Sequence, residues 1–424
     1  MTKNLSPLMV AFITVAVDML GFGIVVPILP RYAERFQHAV SPALQGLTIG
    51  LLMASFSMVQ FFFAPVWGKL SDRIGRRPVL LIGLSGSVLA YLLFAFASSV
   101  ESLTLLFAAR IGQGLCGATI STAQAVIADC TPAEERARGM ALVGLAFGIG
   151  FTFGPVIGAL AVGSEEAGLS LGAPGMTPGL VAAGISLAAF LFAFLRMPET
   201  NHPGARPAGR RIFDLDGFRY ALGNPITALP ILTFFVAVLA FGQFEGTLSR
   251  LTKDVLGFTD RQNFYTFFYI GVLLMVAQGL IVRKLVRRTG EVAMVVAGIA
   301  GMLVGMAGLG IVAVNGSMIL GVIALTLTTV GFSSLTGPAN ALVSRAADPR
   351  RQGEVLGVAQ SCGAVARIIG PLMGNLVYGG QAAARYHWPY FIAAALLAVA
   401  LALALRLKAP AAAPDEVVPA TVVE

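Results

Sequence analysis

Charge is what this 424-residue chain has least of: 12% of it is Asp, Glu, Lys or Arg, against 57% hydrophobic residues and a mean hydropathy of +0.82. That balance excludes a soluble globular domain and requires lipid around most of the chain. The three cysteines, Cys116, Cys130 and Cys362, fall two inside apolar runs and one in a short loop. They are too scattered for a disulfide framework or a metal site, and are expected as small buried residues or free thiols. His38, His202 and His387 all lie in loops, which excludes a membrane-embedded histidine relay. No phosphate-cradling loop ends in Lys and Ser or Thr, so ATP hydrolysis is not the energy source. No cluster of nucleophile, base and metal-ligand residues supports an enzyme, and no cofactor is expected.

What is present is a series of apolar runs of about 20 residues, enough to cross a bilayer core of about 30 Å as helices. They lie near 8–29, 44–67, 79–98, 103–126, 140–162 and 178–196, then near 229–248, 264–282, 292–313, 317–340, 355–378 and 388–406. The expectation is an all-α integral membrane protein with twelve transmembrane helices in two pseudo-symmetric six-helix bundles. The bundles would occupy 1–196 and 225–408, joined by a Pro- and Arg-rich linker at 197–224 and followed by a disordered tail at 409–424. The first run carries Asp18, has one preceding lysine and is followed by further spans, so it reads as a transmembrane helix and not as a cleaved signal.

The net charge of +8 would suggest nucleic acid in a soluble domain, but here the basic residues gather in alternate loops. Lys69, Arg73, Arg76, Arg77, Arg283, Lys284, Arg287, Arg288 and Arg345 share one side with both tails; Arg31, Arg35, Arg250, Lys253, Arg261 and Arg385 lie on the other. The positive-inside rule places the first side, and both termini, in the cytoplasm. No nucleic-acid partner is expected, and the chain is expected to be monomeric.

The halves read as copies. GLCGATISTAQAVIADCTP from Gly114 aligns without gaps to GFSSLTGPANALVSRAADP from Gly331, an offset of 217, and GPVIG at Gly154 aligns to GPLMG at Gly370, an offset of 216. Two anchors at nearly one spacing argue duplication of a six-helix unit. Parallel six-helix halves place a substrate site at their interface near the midplane.

Four segments carry a resemblance. They are GKLSDRIGRRP (Gly68 to Pro78) after span two, RIGQGLCGA (Arg110 to Ala118) in span four, GIGFTFGPVIGAL (Gly148 to Leu160) in span five and DMLGFGIVVPILP (Asp18 to Pro30) in span one. The chain resembles the major facilitator superfamily, and within it the drug:proton antiporters typified by the tetracycline exporters. That resemblance implies a bacterial inner membrane protein and a cytoplasmic gate built from Gly68, Asp72, Arg73, Gly75, Arg76 and Arg77, with Asp72 and Arg73 holding the outward-facing form. From the residues themselves, Gly68 and Gly75 permit tight turns, and Asp72 can cap a helix start or pair with an arginine. A purely topogenic positive cluster is the alternative. Gly150, Gly154 and Gly158 line one helix face and Pro155 should kink it; Gly370, Pro371 and Gly374 repeat the pattern in the second half. Tight packing accounts for such a stripe, and the resemblance adds a pliable seam associated with antiport.

Asp18, Arg110, Glu245 and Arg367 fall within apolar spans, where an ionised group costs about 2.5 to 3.5 kcal/mol on the insertion scale. Each should face the bundle interior. Asp18 lies about ten residues into span one, about 15 Å deep at 1.5 Å per residue. Asp18, Arg110 and Glu245 are the expected proton-coupling residues, with Arg110 tuning Asp18; a permanent structural ion bridge between these two is the alternative. Glu245 is either a second coupling acid or a snorkelling side chain. Arg367 is expected to meet an anionic substrate group, to pair with Glu245, or to serve only in helix packing. Gln113, Gly114, Gly117, Ser121 and Gln124 extend a stripe from Arg110 that lines the central cavity or the helix facing it.

The expected substrate-binding set is Asp18, Gln113, Gln124, Gln243, Tyr265, Tyr269, Gln360 and Arg367. The aromatic side chains in it form a pocket for planar molecules or simply pack. Span nine holds no acid where the tetracycline exporters carry one, and EGTLSRL at Glu245 to Leu251 resembles the tetracycline-transporter-like carriers of animals, which are linked to organic anions. The expectation is a secondary active exporter that exchanges protons for a small amphiphilic or organic-ion substrate. A proton symporter or facilitator importing a metabolite is the alternative.

Overall fold

The computed structural model describes residues 5–36, 42–131, 136–162, 175–200, 215–348, 351–378 and 385–407. The tail at 409–424, half of the 197–224 connection, and His38 and His202 lie outside these stretches. The described residues are overwhelmingly helical, as the apolar runs require: in lipid, a helix satisfies every backbone polar group within its own segment. Among the described residues, ten helices are long and apolar enough to span a membrane, and two shorter apolar helices, Gly148–Val162 and Trp388–Ala404, accompany them. The twelve-span reading accommodates all of these.

The first half comprises α1 (Leu5–Val25), the short α2 (Leu29–Arg35), α3 (Pro42–Ile74), α4 (Arg76–Ser99), α5 (Leu103–Gly117), α6 (Ile120–Cys130), α7 (Arg136–Val162) and α8 (Thr177–Arg196). After α9 (Leu215–Gly223) the second half follows: α10 (Pro225–Asp254), α11 (Asp260–Val276), α12 (Arg283–Thr289), α13 (Glu291–Asn315), α14 (Met318–Ala346), α15 (Gln352–Tyr378) and α16 (Trp388–Ala404). A π-helical turn, Ala277–Val282, joins α11 to α12. Local chemistry sets several boundaries. Ser102, Asn224 and Ser317 each accept a backbone N–H of the first turn of the helix they precede, and Thr259 with Gln262 forms a reciprocal capping box. Gly75 separates α3 from α4 at φ +103°, a conformation open to glycine and costly for other residues.

Three local expectations change. Gly68 lies inside α3 and makes no turn, because the helix runs on through Lys69 to Ile74 and only Gly75 breaks it. Span four is two helices, interrupted at Ala118 and Thr119. Cys130 closes α6 and is not a loop residue; all three cysteines are free.

The packing repeats between halves. The pairs α1 with α7, α4 with α8 and α4 with α5 in the first half have counterparts α10 with α15, α13 with α16 and α13 with α14 in the second. The halves meet through α3 against α15 and α7 against α11, which exchange under the same pseudo-twofold. The GPVIG and GPLMG segments sit at equivalent crossings. A Cβ at Gly154 would lie 2.8 Å from the Gly23 Cα, and one at Gly370 would lie 2.9 Å from the Gly242 Cα. Such approaches let dispersion act between backbones where no hydrophobic force drives helix association.

Candidate functional site

The four intramembrane ionisable residues come from α1, α5, α10 and α15, two from each half. Asp18 is buried, and its Oδ2 has no hydrogen-bond partner. It lies within electrostatic reach of Tyr91 and Cys116. Arg110 is also buried; its Nη1 donates to Gln113 Oε1 at 2.8 Å, and its guanidinium stacks 4.8 Å from the Phe56 ring centroid. Asp18 and Arg110 form no ion pair with each other, which was the alternative reading of these two residues. The aromatic rings and Gln113 occupy the guanidinium, while Glu245 and Tyr91 lie within its electrostatic reach.

Glu245 is the meeting point of the set. It sits in α10 within electrostatic reach of Arg367 on its own half and Arg110 on the other, without an ion pair to either. Arg367 is exposed, not buried as its position in the sequence suggested. Its Nη1 would lie 3.7 Å from a Cβ built at Gly363, which would also touch Phe234 of α10. The Arg367 guanidinium therefore lies beside Gly363, on the side of α15 that meets Phe234 of α10. Gln360, two turns away on α15, is exposed and donates to Asn340 Oδ1 at 3.2 Å.

The remaining candidates separate. Gln243 is fully buried and neither its Oε1 nor its Nε2 has a partner; Gln113 Nε2 is likewise unpartnered. Gln124 is exposed on α6. The stripe beginning at Arg110 faces α3: a Cβ at Gly114 would lie 3.0 Å from the Phe56 Cα, and Ser121 donates to the Ala64 carbonyl. Tyr265 and Tyr269 do not join the central set. They line a separate cavity of about 410 Å³ between α10, α11, α13 and α14, with the Tyr269 hydroxyl 2.8 Å from Thr326 Oγ1. They are the sixth and tenth residues of α11.

The gate motif is tied inside the first half. Buried Arg76 pairs with Asp72 at 2.7 Å and with Asp129 at 3.1 Å, and also donates to Ser71. The Arg76 and Arg77 backbone N–H groups donate to the Glu199 carboxylate, and the Arg77 side chain donates to the Phe194 carbonyl. Asp72 thus meets Arg76, four residues on and across the Gly75 break, while Arg73 is exposed. Gly150 and Gly154 pack on α1, whereas Gly158 faces Phe264 of α11 across the halves. Gly374 packs against Gln243, and Pro371 touches Gly246.

Sequence reasoning missed a second charged cluster at the end opposite Gly75. Arg31 of α2 pairs with Asp260 at 2.7 Å and donates to the Phe258 carbonyl, Ser249 and Thr252. Glu34 accepts Arg250 Nε at 2.6 Å and Lys253 Nζ at 2.8 Å, both from α10. The Arg250 guanidinium stacks 4.2 Å from the Tyr378 ring and donates to Asn375. Ser249 and Asn263 donate to the Pro27 carbonyl. These bonds join the halves into a latch, and the glycine contacts Gly46 to Asn375 and Gly50 to Leu372 close the α3 and α15 crossing beside it. The available signal was that three of the six basic residues on the side where few belong, Arg31, Arg250 and Lys253, meet here.

Two helical bundles, joined by a latch at one end and enclosing unpaired charges midway, define a membrane carrier. The Major Facilitator Superfamily profile matches residues 11–371, and the chain belongs to that family. It is 32% identical over 403 residues to the class C tetracycline resistance protein of Escherichia coli, covering 94% of this chain and 96% of that protein. It is 30% identical over 430 residues to major facilitator superfamily domain-containing protein 10 of Homo sapiens, covering 88% of each. Among solved structures, the human organic anion transporter MFSD10 (TETRAN) superposes with a TM-score of 0.67 at 25% identity, over 95% of this chain and 100% of that one. A D-xylose-proton symporter superposes with a TM-score of 0.76 at 15% identity, over 96% of this chain and 99% of that one, a likeness of fold alone. The chain is a multi-pass membrane transporter of this superfamily.

Proposed function

We propose that this transporter is a proton-coupled exporter that exchanges protons for a small amphiphilic organic ion by alternating access, in a bacterial inner membrane with both termini cytoplasmic. One observation carries the reading. Asp18, Arg110, Glu245 and Arg367 lie within membrane-length helices without an ion pair among them, while Arg31, Glu34 and Arg250 at the latch are paired. Charges that only hold helices together gain most by pairing permanently; charges that must trade partners are kept apart.

Glu245 supplies the exchange. When it is ionised, it holds the cationic end of an amphiphilic substrate while Arg367 meets an anionic end. When it takes a proton, its charge is lost and the cationic end is released. Proton and substrate thereby compete for one carboxylate, the negative coupling that exchange requires. Asp18, buried beside Tyr91 in the other half, is a second proton site. The tetracycline resistance proteins and the human organic anion transporter among the relatives support an amphiphilic organic ion, and the unpaired Arg367 favours an anion. The absence of an acid over residues 292–313 disfavours tetracycline itself.

The test is flux in reconstituted vesicles under an imposed pH gradient, with candidate organic anions and cations as cargo. Exchange moves cargo against the proton flow. Movement of cargo with the proton flow would establish the importer reading instead, and flux indifferent to the gradient would remove proton coupling.

A further inference from the structure

The cavity that holds Tyr265 and Tyr269 is unrelated to the central charges. It lies within the second half, among the last turns of α10 and α13 and the first turns of α11 and α14, and its walls are mostly Leu, Val, Met and Phe. Tyr265, Met318 and Val322 on its walls are 48%, 52% and 48% exposed, so it opens on the outer surface of the bundle. In a transmembrane bundle that surface meets lipid, and an apolar recess there is filled by something apolar.

A cation stands at the rim. Arg261 Nε donates to the Tyr265 hydroxyl at 3.1 Å, and the guanidinium lies 6.0 Å from that ring's centroid. This fixes an exposed guanidinium beside the opening. Among the described residues it forms no ion pair, because its neighbour Asp260 is turned to Arg31 of the other half. Arg261 is the second residue of α11, at the level where a spanning helix meets headgroups, and the recess extends from there toward the membrane interior. A basic side chain at headgroup depth above an apolar slot matches a phospholipid with a negative headgroup.

We propose that this recess binds one acyl chain of an anionic phospholipid whose headgroup rests on Arg261. The cavity volume of about 410 Å³ falls in the range of specific small-ligand sites, and the chemistry divides between the tail in the slot and the phosphate on the guanidinium.

The experiment places a reporter in the recess of the full-length chain, Val322→Trp, in vesicles containing phosphatidylglycerol or phosphatidylcholine with brominated acyl chains. The excess quenching over the same protein without the reporter reads chain occupancy. Half-maximal quenching is expected at a mole fraction at least threefold lower for phosphatidylglycerol. Arg261→Gln, an exposed change, should bring the two lipids level while quenching persists. Gly321→Phe should remove the excess quenching, since a Cβ at Gly321 meets only Val312 at 3.8 Å and the ring then enters the slot. Equal half-maximal fractions for the two lipids in the reporter chain with Arg261 in place overturn the proposal, as does quenching unaffected by Gly321→Phe. Loss of transport in Gly321→Phe with lipid quenching intact would assign the recess to a lipophilic transported molecule and overturn it equally.

Discussion

Glu34→Gln tests whether the latch sets the conformational equilibrium. The Glu34 side chain is 6% exposed and accepts two cations from α10, Arg250 at 2.6 Å and Lys253 at 2.8 Å. Removing its charge affects the two unequally. Lys253, at 38% exposure, can turn to water; Arg250, at 0%, cannot, and loses its 2.6 Å carboxylate contact while Asn375 and the Tyr378 face stay beside it. Breaking a buried pair by neutralising one member costs about 3 to 5 kcal/mol, and an amide retains part of the hydrogen bonding, so about 3 kcal/mol is expected. If the latch forms only in the state closed at this end, that whole cost falls on one state. At about 1.4 kcal/mol per tenfold, the closed-to-open ratio should drop by about a hundredfold. Spin labels at Leu44 of α3 and Leu376 of α15, exposed residues at this end on opposite halves, report it by pulsed dipolar spectroscopy with the native cysteines replaced. The expected result is a new, longer distance population in Glu34→Gln and in Arg250→Gln. The double variant should show less than the sum of the two, because the second change removes the cation that the first left stranded. An unchanged distance distribution in both single variants would refute the latch as a determinant of state.

Further outcomes follow from the same geometry. Asp18→Asn should lower gradient-driven flux at least tenfold while substrate still stabilises the purified protein in a thermal-shift assay; full gradient-driven flux would leave Asp18 a structural residue. Arg367→Ala should abolish stabilisation by organic anions and spare that by organic cations, and Arg367→Lys should restore part of it; equal loss for both ligand classes would point to a packing role. Gly154→Val should lower the melting temperature by an overpacking cost of about 1 to 3 kcal/mol, because its Cβ would meet the Gly23 Cα at 2.8 Å. Gly68→Ala, with nothing within 4 Å, should be neutral or stabilising by up to about 1 kcal/mol through helix propensity; thermal denaturation distinguishes the pair, and similar losses at both sites would refute the reading.

Much of the architecture followed from the chain alone, because bilayer thickness and backbone hydrogen bonding leave an apolar run of about 20 residues one structural solution. The spans near 79–98 and 292–313 became α4 and α13 within a few residues at each end. The repeated GPVIG and GPLMG segments marked equivalent crossings, since only glycine admits a neighbouring backbone so closely. Asp18 and Arg110 were legible as buried residues because charge in hydrocarbon is costly wherever it falls, whereas Glu245 is half-buried and Arg367 exposed. Their partners were not legible. Ion pairing depends on distances between segments far apart in sequence, so only the tertiary structure separated Asp18 from Arg110 and set Glu245 between two arginines. The latch was hidden for the same reason: Arg31 and Asp260 are 229 residues apart, and hydropathy describes what each segment avoids, not which segment it meets. Lipid dictated the helices; the choice of neighbours decided which charges are spent on closure and which stay free in the middle.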